Sequence, residues 1–322
     1  MNLFNLTDVD QGFHGSSSLA GSPELLMLAV FKIILSPVTV IGNGLLLLTG
    51  IVDPLRSFRN PSSLFLLTMS AANVLTGITV APIFAALEYN GFFGRKQSLD
   101  TVAVGSSFSL LSLNISFGMV FALAFDNFIA VFRPTKYRSW ITMRRAKISI
   151  LVISLIALTF AILPHLNVPI TTVLKIDLHF NSTVNSTLLV VSYILLYAAF
   201  KNQTKKSLDL RAAAGPNKIK HGGKLYKLRN KFRRVLFIFI VFSTVPAILS
   251  TIAYHLESYC DSCQKYKGIV IVQRVCLNLM FMKCALDPFA FGWRLARNRQ
   301  ALKKVICCQL HTVRQIATTE NL

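Results

Sequence analysis

The chain has 322 residues, of which 53% are hydrophobic and only 15% are charged. Soluble globular proteins average about 45–50% apolar and about 25% charged residues, so the balance is shifted toward a membrane protein. This excludes a disordered chain, a collagen-like chain and a small disulfide scaffold, and nucleic acid is not an expected partner despite a net charge of +21.

A spanning helix needs roughly 20 mostly apolar residues to cross about 30 Å of hydrocarbon. Seven segments fit in chain order: residues 25–51, 63–87, 101–131, 148–168, 187–200, 235–256 and 268–292. The third is longer than required, which tilt absorbs. The fifth is short, and spans only if flanking polar residues complete it and the helix runs on into water. Apolar runs this long read as helix rather than strand. The alternating pattern of a membrane barrel is absent. Irregular backbone is excluded from lipid, so the expected fold class is an all-α membrane protein, a seven-transmembrane helix bundle. Residues 1–24 form an extracellular tail, 25–292 the helical domain, and 293–322 an amphipathic eighth helix and cytoplasmic tail.

The basic residues are distributed unevenly. Twenty-six of the 34 lie in the first, third and fifth connections and the C-terminal tail, five lie in the other connections, and Lys32, Arg274 and Lys283 lie within spans. The positive-inside rule therefore places the N-terminus outside and the C-terminus in the cytoplasm, as an odd number of spans requires. The +21 charge is mostly a cytoplasmic face, suited to anionic membrane lipids and to an acidic protein partner. The sequons at Asn5, Asn181 and Asn185 fall outside and are glycosylation candidates, whereas those at Asn114 and Asn202 fall in a span and inside. Residues 1–24 lack the basic start and apolar centre of a cleavable signal, so the first span is expected to direct insertion.

Local motifs narrow the class. The first span carries Gly42-Asn43, and the second carries Ser70-Ala71-Ala72-Asn73. The third ends in Asp126-Asn127-Phe128 ahead of Arg133-Pro134. Pro246 lies in mid-sixth span, and the seventh ends in Asp287-Pro288-Phe289-Ala290-Phe291. A basic amphipathic stretch, Arg294–Val305, and then Cys307-Cys308 follow. In this order the set resembles the rhodopsin-like (class A) G-protein-coupled receptors, over about residues 24–308. The outer-loop Cys260-x-x-Cys263 resembles adenosine-type receptors. The absence of a cysteine atop the third helix and of a fifth-helix proline resembles melanocortin-type receptors.

The resemblance implies a plasma-membrane receptor that binds an extracellular ligand between its helices. It signals to a heterotrimeric G protein by outward movement of helix six, with arrestin as a further partner. The matching chamber positions are Ser109, Leu110, Leu113, Ala247, Thr251, Gln273, Leu277 and Phe281. Ser109 stands where aminergic receptors carry an amine-binding Asp, so a cationic amine is not expected. Arg274, near the outer end of the seventh span, favours an acidic group. Phe281 stands where opsins carry the Schiff-base lysine, and Lys283 is about 200° further round the helix, so retinal is not expected and no cofactor is implied.

Asn127 replaces the family's Arg, and its short neutral side chain takes over neither of that residue's contacts. Asp126 is left to contact basic groups of Arg133–Lys147 or to lie exposed at the helix end. Pro246 and Pro288 imply kinks, with Thr244 and Phe291 in place of the usual Trp and Tyr, and Tyr193 or Tyr197 as a hydroxyl source nearby. Asn43, Asn73, Ser116 and Asp287 match positions around a buried sodium ion, but Asn73 removes the anionic anchor. Lys283 and Asp287 are spaced i, i+4 on one face, so the Lys283 ammonium is expected to replace the ion and pair with Asp287, the alternative being that it snorkels or is neutral.

Cys260 and Cys263 lie outside, where a disulfide closing a small loop is expected, and two thiols alone do not suit a metal. Cys276 and Cys284 are expected in packing, and Cys307 and Cys308 as palmitoylation sites. Two alternatives remain: an atypical seven-helix receptor without G-protein coupling, motivated by Asn127, and a transporter, against which stands the lack of a repeat. No nucleophile, base or metal constellation of an enzyme appears.

Overall fold

A computed structural model describes residues 21–53, 55, 58–133, 135–166, 168–212, 267–292 and 298–307, with isolated positions between 245 and 260. Among them the regular structure is entirely helical. The longer helices are α1 (Pro23–Val52), α2 (Pro61–Leu75), α3 (Ala81–Phe92), α4 (Leu99–Phe132), α6 (Met143–Ile162), α8 (Asn185–Ala212) and α9 (Lys267–Asp287). Short helices α5 (Tyr137–Trp140) and α7 (Ile170–Asp177) lie between them.

The helix starts follow from sequence chemistry. Pro23 and Pro61 sit in the first turns of α1 and α2, where a missing N–H costs nothing. The Asn60 side chain accepts from the Ser63 amide at 2.8 Å and caps α2. Thr142 caps α6 in the same way, accepting from the Arg145 amide. α1 ends at Asp53, whose backbone turns left-handed at φ 35° and whose carboxylate receives the Phe58 amide.

α2 and α3 form one rod joined by a π-helical turn, Thr76–Val80. Pro82 lacks the N–H that a continuous α-helix requires, and the wider turn just before it absorbs that defect. Gly77 lets α1 approach this turn closely: a Cβ there would lie 2.8 Å from Val40 and 3.2 Å from the Ser36 carbonyl oxygen. The Ser36 hydroxyl donates to the Gly77 carbonyl at 2.7 Å. A second π turn, Pro288–Gly292, follows α9 at Pro288.

α4 is the central post and packs against α2, α6 and α8, while α1 packs against α2, α3 and α9. Met69, Met119, Val120, Leu123, Ala146 and Tyr193 are buried together in the largest apolar cluster, whereas Tyr197 is exposed. Four helical stretches among the described residues are long and apolar enough to cross a membrane: Pro23–Val52, Pro61–Phe92, Asp100–Ala130 and Met143–Leu166. The fifth apolar segment, 187–200, sits inside the longer α8, so its helix does run on past the apolar stretch. Residues 298–307 are helical, with Ala301, Leu302 and Val305 buried and Arg299, Lys303 and Lys304 exposed. Most of the sixth segment, including Pro246, lies outside the described residues.

The solvent pattern is inverted relative to a soluble protein. Ile33, Ile34, Val38 and Ile41 of α1, and Leu151, Val152 and Leu155 of α6, are exposed. Lys32, Asn43, Asn73, Glu88, Ser116, Lys283 and Asp287 are buried. Apolar surface outside and charge inside suit hydrocarbon as the surrounding solvent, so this is a multi-pass membrane protein.

Candidate functional site

The central site is assembled by four helices. Asn43 projects from α1, Asn73 from α2, Ser116 from α4, and Lys283 and Asp287 from α9; none is more than 2% exposed. The Lys283 ammonium lies 2.8 Å from Asp287 Oδ2, one helical turn along the same face. It also donates to Ser116 Oγ at 3.0 Å, and Ser116 in turn donates to Asn73 Oδ1 at 2.7 Å. The Asn73 amide donates to Asp287 Oδ2 at 2.8 Å and to Asn43 Oδ1 at 3.3 Å. Asn43 closes the set by donating to the Cys284 carbonyl at 3.0 Å.

The site is therefore a closed polar circuit with one positive and one negative charge, so its formal charge is zero. The Phe117 ring lies 4.9 Å from the ammonium and adds a favourable quadrupole contact. Asp287 Oδ1 has no hydrogen-bond partner among the described residues. A buried ammonium and carboxylate in contact satisfy one another's charge, which is why neither has to reach water. Pro288 packs beside Gly42, where a Cβ would meet the proline ring at 3.2 Å.

A second buried pair lies nearer the N-terminal end of α1. Lys32 Nζ of α1 is 2.6 Å from Glu88 Oε1 of α3, with side-chain exposures of 0% and 2%. The same ammonium lies 5.6 Å from the centre of the Phe281 ring. Arg274 of α9 lies close enough to act electrostatically on both charges. Sequence reasoning did not find this pair. Its signal was a lysine within the first span, because an intramembrane charge requires a partner.

Among the proposed chamber positions, three fall in two separate apolar clusters. Leu110 packs with Phe160, Ala161 and Val173, on the α6 and α7 side. Phe281 and Leu277 pack with Val80, Ala81 and Phe84, on the α1 and α3 side. Leu113 is buried, and Ser109, Thr251, Gln273 and Arg274 are half-buried. Ala247 lies outside the described residues, as do Asn5, Cys263 and Cys308. Asn181 and Asn185 fall within helical backbone, and Cys307 is exposed. Cys276 and Cys284 are buried free thiols.

At the other end of α4, Asp126 differs from expectation. It is 3% exposed and accepts from two hydroxyls, Ser62 at 2.5 Å and Tyr137 at 2.9 Å, instead of a cation of Arg133–Lys147. The reason is position: Asp126 turns inward toward α2, and the arginines and lysines of the following loop point to water. Burial pushes the Tyr137 phenol above its ordinary value, opposed by its hydrogen bond with Ser62 and assisted by Asp126. The phenol thus stays protonated as a donor. The Asn127 amide folds back and donates to the Leu123 carbonyl at 2.7 Å.

Comparison with known proteins bears on this arrangement. The family model described as 7 transmembrane receptor (rhodopsin family) matches residues 42–291. A Melanopsin-B of Gadus morhua is 25% identical over 159 residues, which is 49% of this chain and 25% of that protein. An Alpha-2B adrenergic receptor of Elephas maximus is 31% identical over 126 residues, 39% of this chain and 32% of that receptor. A Talpa europaea Alpha-2B adrenergic receptor is 32% identical over 130 residues, 40% of this chain and 32% of the receptor. The match thus spans a quarter to a third of the length of these relatives.

Proposed function

The chain belongs to the rhodopsin-like (class A) family of seven-transmembrane G-protein-coupled receptors, receptors and not enzymes, and on that premise we propose that it carries an extracellular signal to a heterotrimeric G protein. The bundle has seven helices and sits in the plasma membrane with the N-terminus outside. The ligand enters between the outer halves of the helices and shifts helix six outward about Pro246. The basic connections Arg133–Lys147 and Lys201–Arg234 then meet the G protein, with arrestin as a second partner. The stretch through Val305 lies on the membrane surface, anchored by palmitoyl groups on Cys307 and Cys308. Asn5, Asn181 and Asn185 carry glycans, and Cys260 bridges Cys263.

The single observation that carries this reading is the closed circuit joining α1, α2, α4 and α9. Charges inside a membrane bundle are expensive and mark places where helices change their packing. Here Lys283 acts as a tethered cation in place of a diffusible one. The resting state should therefore be indifferent to sodium, whereas Lys283→Ala should acquire sodium dependence through Asp287, Asn73 and Ser116. A sodium-sensitive resting state in both wild type and variant would argue against the tethered cation.

Cells expressing the receptor with a promiscuous G protein should show second-messenger output above mock-transfected cells, and Asn127→Arg should raise it. A second reading, an atypical receptor without G-protein coupling, is favoured by the Asn127 amide being turned back onto its own helix. Arrestin recruitment without any second-messenger response, in wild type and Asn127→Arg alike, would select that reading instead. Solute uptake into vesicles holding the purified protein would replace both with a transporter.

A further inference from the structure

Two histidines meet near the mouth of the bundle on elements far apart in sequence. His179 lies on the π-helical turn Leu178–Val184 that leads into α8. His255, at the end of the sixth segment, and Tyr259, just beyond it, are four residues apart at helical positions. The His179 and His255 ring centres are 4.9 Å apart and inclined at 53°. Tyr259 completes a triangle, its ring 5.9 Å from each imidazole. His179 Nε2 is 2.8 Å from the Tyr259 hydroxyl, and His255 Nε2 is 3.3 Å from the Thr183 hydroxyl.

None of these contacts commits the imidazoles to a charge. Both hydrogen bonds run to hydroxyls, which donate or accept and give way to a better partner. His179 is exposed and His255 half-buried, so the pair is open to ions from solution. The network of Lys283 is sealed from solvent by comparison.

We infer that His179 and His255 form a site for a divalent transition-metal ion of the zinc type, clamping the turn before α8 to the sixth segment. Neutral imidazole is a preferred donor for such ions. A zinc–nitrogen bond of about 2.0–2.1 Å, with the ring centre about 1.2 Å behind the nitrogen, puts two tetrahedrally disposed rings about 5 Å apart. The observed 4.9 Å between ring centres is compatible with that separation. Two protein nitrogens leave two positions, which water fills and for which the Tyr259 oxygen is at hand. Lys175 lies 5.7 Å from the centre of the Tyr259 ring, so a positive charge borders the site and holds its affinity down. Hard cations such as magnesium prefer oxygen and are excluded by the donor set.

The clamp would join the outer ends of two helices whose inner ends part when the receptor signals. That consequence rests on the function proposed above, but metal binding does not, and the two are tested separately. The binding experiment uses the full-length receptor purified in detergent micelles, titrated with zinc chloride and, as control, magnesium chloride. Thermal melting and isothermal titration should show one zinc per chain at this site, with a raised melting temperature, and no response to magnesium. Loss of a supporting residue around a metal site already weakens binding 10–100-fold, so His179→Ala or His255→Ala should each weaken zinc binding at least about tenfold. Tyr259→Phe should change it by less.

The metal-free melting temperatures of the variants report folding, and His179→Gln and His255→Gln replace the alanines should those fail to purify. No zinc response in the wild type overturns the assignment. A response that persists in the His179→Ala/His255→Ala double variant also does, since the ion then sits on other histidines or thiols. Zinc binding with no change in second-messenger output would retain the site and count against only its coupling to signalling.

Discussion

Replacing Lys32 by Met removes a buried ammonium and leaves its partner in place. Glu88 is 2% exposed, its Oε1 is held by Lys32 at 2.6 Å, and its Oε2 has no partner among the described residues. After the substitution neither oxygen has a donor among the described residues. Removing one member of a buried pair costs about 3–5 kcal/mol, because an uncompensated charge or an unsatisfied acid remains. At roughly 2–4 °C per kcal/mol, the melting temperature should fall on the order of 10 °C. Lys32→Met/Glu88→Leu should recover most of that loss, since a buried ion pair replaced by apolar groups of similar volume is often neutral. The protein supplies its own probe: Cys276 and Cys284 are 2% and 1% exposed, so a thiol-reactive dye reports their uncovering on heating. If Lys32→Met melts with the wild type, or the double variant melts as low as the single one, the pair is not a structural tie and the reasoning fails.

Three other perturbations test separate parts of the structure. Asp287→Ala removes the carboxylate beneath Lys283 and strands that ammonium with the Ser116 hydroxyl, so the dye-monitored melt should fall by a similar amount, about 3–5 kcal/mol. Asp287→Ala combined with Lys283→Met should melt higher than Asp287→Ala alone. Tyr137→Phe removes one of the two hydroxyls on Asp126 and should cost about 1–3 kcal/mol. The folded phenol titrates above its ordinary pKa of about 10. A raised folded value means the contribution is full below that pH and is lost above it, so the gap between wild type and Tyr137→Phe should be flat from pH 6 to 9 and close at more alkaline pH. A gap that varies between pH 6 and 9 would contradict this. Gly77→Ala forces a methyl to 2.8 Å from Val40 and 3.2 Å from a backbone oxygen, and should cost about 1–3 kcal/mol in the same melt.

The helices were legible because hydrocarbon imposes length and polarity on every span, and those are properties of composition. Lys283 and Asp287 were legible as a pair because i, i+4 spacing on one helix fixes their proximity without any knowledge of tertiary packing. Lys32 and Glu88 were not, because they sit on different helices and Glu88 falls one residue beyond the apolar window that ends at 87. Depth would have found it. In or next to the seven segments the carboxylates are Glu24, Glu88, Asp100, Asp126, Glu257 and Asp287, and of these Glu88 is the one that meets Lys32. The burial of Asp126 was hidden for a different reason: its partners are hydroxyls, and Ser62 and Tyr137 carry no charge to draw attention. The packing partners of Leu110 and Phe281, which fall in separate apolar clusters, were hidden as well, since helix rotation decides which neighbours a side chain meets and a motif does not encode rotation.

The geometry of the central circuit also decides which of its bonds would change in a rearrangement. Lys283 and Asp287 are both on α9, so their 2.8 Å contact travels with that helix and survives any rigid movement of it. The short bonds that tie α9 to other helices are Lys283 to Ser116, Asn73 to Asp287, and Asn43 to the Cys284 carbonyl, beside a longer one of 3.4 Å from Asn73 to the same carbonyl. Hydrogen bonds to charged groups are worth about 1.5–3 kcal/mol and neutral ones about 0.5–1.5 kcal/mol, so three such bonds hold α9 by about 3.5–7.5 kcal/mol. Moving a two-state equilibrium from 1:99 to 99:1 requires about 5.5 kcal/mol of differential binding, which is the same scale. A ligand bonded to one packing of α9 could therefore overcome the circuit without separating its charges. A diffusible ion would have to leave the bundle for the same shift, and the reaction would then depend on its concentration. Tethering the cation removes that dependence, which is why sodium titration of the wild type and of Lys283→Ala discriminates between the two designs.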